Sequence, residues 1–118
     1  MLREREADRR TSPVSRDASA LRCAVCGHRI TDAAERIAMN GAHVHRFVNP
    51  SAIAYEIGCF AAAPGCLHVG AGEDAVSWFP GWTWQIAICA SCRAHVGWLY
   101  RNAGEQFHGL ITSALREG

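Results

Sequence analysis

The chain has no lysine. All twelve of its basic side chains are arginine, set against eleven acids, for a formal net charge of +1. Phosphate binding draws on an excess of positive charge, so this balance argues against nucleic acid or an anionic membrane surface as the main partner. No apolar run approaches the ~20 residues that cross a bilayer. Residues 1–20, MLREREADRRTSPVSRDASA, lack the apolar core of a secretory signal, and Glu4, Glu6, Asp8 and Asp17 speak against an organelle-targeting peptide. Internal repeats and long amphipathic helical patterns are also missing, which argues against solenoids and helical bundles. The expectation is a cytoplasmic protein with a disordered, charged leader over 1–20 and one domain over 21–118.

Against these absences stand six cysteines and four tryptophans in 118 residues. All four tryptophans fall between Trp78 and Trp98. Short alternating stretches joined by Gly and Pro turns make the domain mostly β. Asn40-Gly41 is a hairpin signal, with strands predicted over 36–39 and 43–48. Ile53, Tyr55, Ile57 and Cys59 alternate with smaller or polar neighbours as a further strand. CLHVG, the segment ending in Cys89, HVGWLY and EQFHGLITSAL supply the rest, with AGEDA as a connection.

Cys23-Ala-Val-Cys26 and Cys89-Ala-Ser-Cys92 are two CxxC pairs, with about half of the chain between them. A CxxC turn places two sulfurs on one ion, and two such turns complete the tetrahedral shell that zinc prefers. Four cysteines leave no open position for catalysis, so the expected metal is one structural Zn²⁺ joining distant segments. A thioredoxin-like redox motif would accompany a βαβ unit, which the pattern lacks, and disulfides suit an oxidising compartment. Cys59 and Cys66 read as buried packing residues.

The tryptophans need more than core packing, because a buried indole N–H wants a partner. Trp84 lies five residues before Cys89 and Trp98 six after Cys92, so a knuckle between them would hold their two strands side by side. Three indoles around a gap make an apolar box for a small flat ring or a cation.

Ser77-Trp78-Phe79-Pro80-Gly81-Trp82-Thr83-Trp84, then Cys89-x-x-Cys92 and His95-Val96-Gly97-Trp98, resembles the cereblon-type thalidomide-binding family, the CULT domain. That family's pattern is SWFPGYxW, CxxC and HxGW; here Trp82 stands where Tyr is usual and Val96 where Leu or Ile is. Asn49-Pro50 is similar to the NP that opens the family's ligand-side loop. Phe107, Gly109, Leu110 and Ser113-Ala114-Leu115 resemble its FxGLxxSAL close. The likeness runs from about Leu21 to Leu115.

The resemblance implies a β-tent, two antiparallel sheets at a steep angle pinned by one Cys₄ zinc. It implies a cage of Trp78, Trp84 and Trp98 for a glutarimide-type ring, whose N–H and carbonyls meet backbone groups at Val76, Ser77 and Trp78. Tyr100 would lie at the rim or floor, and Asn49 and Pro50 would border the ligand. Val76 stands where vertebrate members have His, which removes one polar contact. Trp82 falls outside the cage, His95 reads as a structural histidine bonding a neighbouring loop, and His43 and His45 as a solvated strand face.

The expected function is thus a non-enzymatic binding module for cyclic imides. Thalidomide-like molecules, protein C-termini ending in a cyclic imide and uridine-like metabolites are the candidate ligands. No ubiquitin-ligase adaptor segment is expected in this chain, which resembles the free-standing bacterial type. The alternative is a zinc-containing methionine-sulfoxide reductase of related fold, but such enzymes need a nucleophilic cysteine near the C-terminal end and none follows Cys92. An RNA-binding relative is a third reading, weakened by the near-zero charge.

Overall fold

A computed structural model describes residues 19–74 and 76–118. The leader expected over 1–20 therefore lies outside the described residues except for Ser19 and Ala20, and Ala20 is fully buried. Among the described residues nine strands follow in order: β1 (Ala20–Cys23), β2 (Arg29–Asp32), β3 (Val44–Val48), β4 (Ala54–Phe60), β5 (Cys66–Glu73), β6 (Thr83–Cys89), β7 (His95–Asn102), β8 (Glu105–Ile111) and β9 (Leu115–Glu117). They form two antiparallel sheets. The smaller has the order β9-β1-β2 and the larger β3-β4-β8-β7-β6-β5.

Local chemistry explains most boundaries. Asn40 and Gly41 take φ of 52° and 86°, and Met39 and Ala42 exchange backbone bonds of 2.9 and 3.1 Å around them. Left-handed geometry at both central residues is what an Asn-Gly turn supplies. The strand expected over 36–39 does not form. Asp32 accepts from the Ala34 N–H at 2.9 Å and caps a 3₁₀ turn over Ala33–Glu35, leaving only isolated bridges at Arg36 and Met39. The connection expected at AGEDA is shorter, since β5 continues through Glu73.

The smaller sheet was hidden in the sequence because LRCAVCGHRI reads as one turn. Within it Leu21 and Ile30 are buried in a core that also holds Phe60, Val96, Leu110, Cys66, Cys23 and Cys89. A second core gathers Ile57, Cys59, Phe79, Tyr100 and Phe107. Gly65 stitches the two sheets together. Its N–H donates to Ile30 O and its carbonyl accepts from Ala90 N, each at 2.9 Å. A Cβ there would lie 2.0 Å from Arg29 O, so only glycine permits the approach. Gly97 does the same between β7 and β8, where a Cβ would sit 2.2 Å from Gly109 O.

His68 on β5 and His108 on β8 meet Nε2 to Nε2 at 2.9 Å. Their sequence positions gave no hint of the pairing. His108 is 3% exposed and its Nδ1 has no partner. Burial, then the neighbouring His68 and Arg101, pull its pKa down to about 4, and burial lowers His68 as well. The folded value lies below the unfolded one, so the unfolded chain takes up the proton first as pH falls. The contribution of this pair is complete above about pH 6.5 and declines toward pH 4. Denaturant unfolding should show a loss on the order of 2–3 kcal/mol from His108 between about pH 7.5 and 4.5. His108→Leu should flatten that part of the decline; an identical pH slope in the variant would disprove it.

Candidate functional site

The two CxxC turns have the same backbone. Cys23 closes β1 and Cys89 closes β6. In each turn the first cysteine's N–H donates to the carbonyl five residues on, His28 or Ala94, at 2.8 Å. The residue four on, Gly27 or Arg93, donates back to the cysteine carbonyl at 2.8 and 2.9 Å, and it turns the corner at a φ of 82° or 70°. The sulfurs of Cys23, Cys26, Cys89 and Cys92 then lie within 4.8 Å of one another, with Cys23 to Cys92 at 3.7 Å and Cys26 to Cys89 at 3.6 Å.

Four sulfurs at about 2.3 Å from a tetrahedral zinc have edges of about 3.8 Å, so the donor set fits such an ion. Four thiols this close also resist ionising together without a cation. The His28 backbone amide and the neighbouring thiols bring Cys26 down to about 7. Although the Ala94 amide favours its thiolate, burial and the same neighbours push Cys92 up to about 11. Among the described residues this is the one group of three or more ligating side chains that could hold a metal ion. Cys59 and Cys66 are buried, as expected of packing residues, and burial pushes their thiols up to about 11 and about 12.

The aromatic site is built on the hairpin that the second knuckle closes. Trp84 lies across from Tyr100, and Ile86 across from Trp98. Directly opposed residues share a face, and the diagonal of such a square spans ~7–8 Å, so Trp84 and Trp98 stand together as the knuckle spacing predicted. A bulge leaves Val96 without a partner between Gly97, across from Ala87, and His95, across from Ile88. The extra residue sends Val96 into the core while His95 turns to the same side as Trp98.

These residues surround a cleft of about 340 Å³, lined by Asn49, Pro50, Tyr55, Val76, Trp78, Trp84, Ile86, His95, Trp98 and Tyr100. Trp78 arrives from the segment before β6. It stacks on Phe47 at 4.9 Å and 10°, and it meets Trp98 edge-on at 4.9 Å and 73°. Tyr55 braces both indoles, at 5.8 Å from Trp78 and 5.2 Å from Trp98. Tyr100 is 2% exposed and stacks on Phe107, which makes it floor rather than rim. Burial raises its phenol well above the ordinary tyrosine value.

The structure brings seven of the eight expected ligand-side residues to this cleft. Ser77 is the exception among side chains: its hydroxyl donates to Phe79 O at 3.0 Å and accepts from Phe79 N at 3.3 Å. Asn49 lines the cleft, but its Oδ1 is committed to the N–H groups of Ser51 and Ile53 at 3.0 and 2.9 Å. Val76 has a φ of 57°, a conformation that costs a β-branched residue strain. Trp82 stays outside, packed edge-on against Phe107 at 5.0 Å.

Three lining residues had no sequence signal. Tyr55 and Ile86 read as ordinary strand positions, and His95 required the bulge. His95 bonds Gly97 O at 2.9 Å, in its own strand rather than in a neighbouring loop. The solvated face expected for His43 and His45 is also corrected. Both rings are half-buried; they bond the carbonyls of Ile37 and Ala42 and pack against Phe60 and Phe79.

No family model matches the chain. It is 34% identical to protein cereblon of Danio rerio, over 58% of this chain and 17% of that protein. It is 35% identical to protein cereblon of Xenopus tropicalis, over 59% and 17%. With protein cereblon of Drosophila yakuba the identity is 29%, over 87% of this chain and 19% of that protein. The chain thus spans less than a fifth of the length of these curated relatives. A two-sheet antiparallel β domain with a clustered four-cysteine site is the class that the structure defines. Within that class the chain carries a domain of the cereblon type, the CULT domain.

If a bound ion ties the two knuckles, a strong chelator should lower the melting temperature of the wild-type domain and leave Cys26→Ser almost unaffected. The measurement is thermal unfolding with and without chelator, alongside metal analysis. Equal chelator sensitivity of the two proteins would count against a shared four-sulfur site.

Proposed function

We propose that this domain is a binding module for cyclic imides, held together by one structural Zn²⁺ at Cys23, Cys26, Cys89 and Cys92. The observation that carries the reading is the joining of Trp78, Trp84 and Trp98 around one cleft over a buried Tyr100, in a domain similar to cereblon. A cyclic imide presents one N–H between two carbonyls on a small flat ring. Backbone groups at Val76, Ser77 and Trp78 would read that pattern, and indole walls that exclude water strengthen each bond. Glutarimides of the thalidomide type, protein C-termini closed into a cyclic imide and uridine-like rings share this edge. The partner is a small neutral ring rather than nucleic acid or membrane, met in the cytoplasm. Among the described residues no helix is long and apolar enough to cross a membrane.

An enzymatic role finds less support. A reductase of methionine sulfoxide needs an accessible thiolate, because the thiolate is the nucleophile. Cys59 and Cys66 are buried with raised thiol pKa values, and the other four cysteines cluster. None of the six lines the aromatic cleft.

Titration of the metal-loaded protein with thalidomide or glutarimide, followed by tryptophan fluorescence, should give a saturable change. Trp84→Ala and Trp98→Ala should abolish it while the fold persists by circular dichroism. An N-methyl imide should bind roughly 5- to 150-fold more weakly, since it leaves a buried acceptor unpaired at a cost of about 1–3 kcal/mol. Val76→His should tighten binding up to about tenfold by restoring one hydrogen bond. No saturable response from the folded, metal-loaded domain would overturn the reading.

A further inference from the structure

We infer that Arg22 and Arg116 are positioning residues for the metal, supplying positive charge that a divalent ion in a four-thiolate shell lacks. The inference rests on the metal reading above and concerns residues outside the ligand set.

Its starting point is an arrangement that is unfavourable on its own. In the smaller sheet Arg116 lies directly across from Arg22, and Arg22 directly across from Arg29. Three like charges thus form one row over three strands, and directly opposed like charges destabilise a sheet. A negative charge close by would offset that repulsion. Arg29 has its own counter-charge in Asp32, at 2.5 Å. Among the described residues neither Arg22 nor Arg116 has an Asp or Glu partner, and only Arg22 reaches the last residue of the chain, at Gly118 O. Glu117, next to Arg116, is paired across from Leu21 and so lies on the other side of the strand.

Both guanidiniums instead converge on the first knuckle. Arg22 Nη1 donates to Gly27 O at 3.2 Å, and its Nε donates to Gly118 O at 3.4 Å. Arg116 Nη2 lies 2.8 Å from where a Cβ on Gly27 would stand. Gly27 directly follows Cys26, the one exposed thiol of the cluster. Two cations therefore lie at the residue that follows the most solvent-open thiol of the cluster. A divalent cation with four thiolates keeps two negative charges. Cations beside it offset that charge, and groups that support the ligands of a metal site raise its affinity.

The test is the rate of metal transfer from the intact, metal-loaded protein to a chromogenic chelator, at low and high salt. Changing a group that supports a metal ligand typically costs ~10–100-fold in metal affinity. Arg116→Glu and Arg22→Glu should each lose metal about tenfold or more faster than wild type. Arg116→Lys should stay within about twofold, and added salt should narrow the gap. Arg46→Glu, the same charge change on the larger sheet, should have no effect on release. Arg116→Gln provides an intermediate case should the Glu variant fold poorly. Wild-type release rates in both Arg116→Gln and Arg116→Glu would overturn the inference while leaving the metal site intact. A protein that purifies and refolds with no metal at all would overturn the metal reading itself, and this inference with it.

Discussion

The convergence of four thiols from two distant turns is the constraint on which the rest of the domain depends. One pair belongs to the smaller sheet and the other to the tip of the β6–β7 hairpin. A three-stranded sheet this short has little surface to bury, and strand pairing alone is marginal in water. Its attachment to the larger sheet runs through the cysteine cluster, the bonds of Gly65 and the shared core around Leu21 and Ile30. Closing so long a loop is entropically costly in the unfolded chain, so cross-links of this kind act over a large share of the fold.

The same turn that presents Cys89 and Cys92 fixes the register of the hairpin beneath the aromatic cleft. Register decides which side chains share a face, and a slip of one residue would exchange the faces entirely. Trp84, Ile86, Trp98 and Tyr100 form a square because that register is set a few residues away by the knuckle. The bulge at Val96 adds His95 to the same side. Cysteine cluster and cleft are therefore two ends of one hairpin, although they share no residue.

The legible parts of the sequence were those whose signal is local. Asn40-Gly41 specified its turn through backbone conformation, and the spacing of the two CxxC pairs marked the four cysteines that cluster. The distances of Trp84 and Trp98 from the second pair were enough to place them together. What failed depended on competition or on tertiary register. The segment 36–39 has strand-like residues, but Asp32 captured the preceding turn. The strands β1 and β2 were concealed because their apolar residues are interrupted by the knuckle. His68 and His108 meet only because β5 and β8 converge in three dimensions. Ser77 was named for its backbone, and its side chain proved to be tied to its own turn.

The left-handed backbone at Val76 carries a consequence for how the cleft is kept open. A branched residue at a φ of 57° opens a segment whose hold comes from its surroundings rather than from Val76 itself, which is exposed. Those surroundings are aromatic: Trp78, two residues on, is pressed flat on Phe47 and wedged against Trp98. This wall of the cleft is thus tethered by stacking rather than by strand pairing. A guest would find it already in place, and little of its binding energy would go to immobilising the segment. Discrimination between guests would then come from the shape of a rigid space rather than from closure around them.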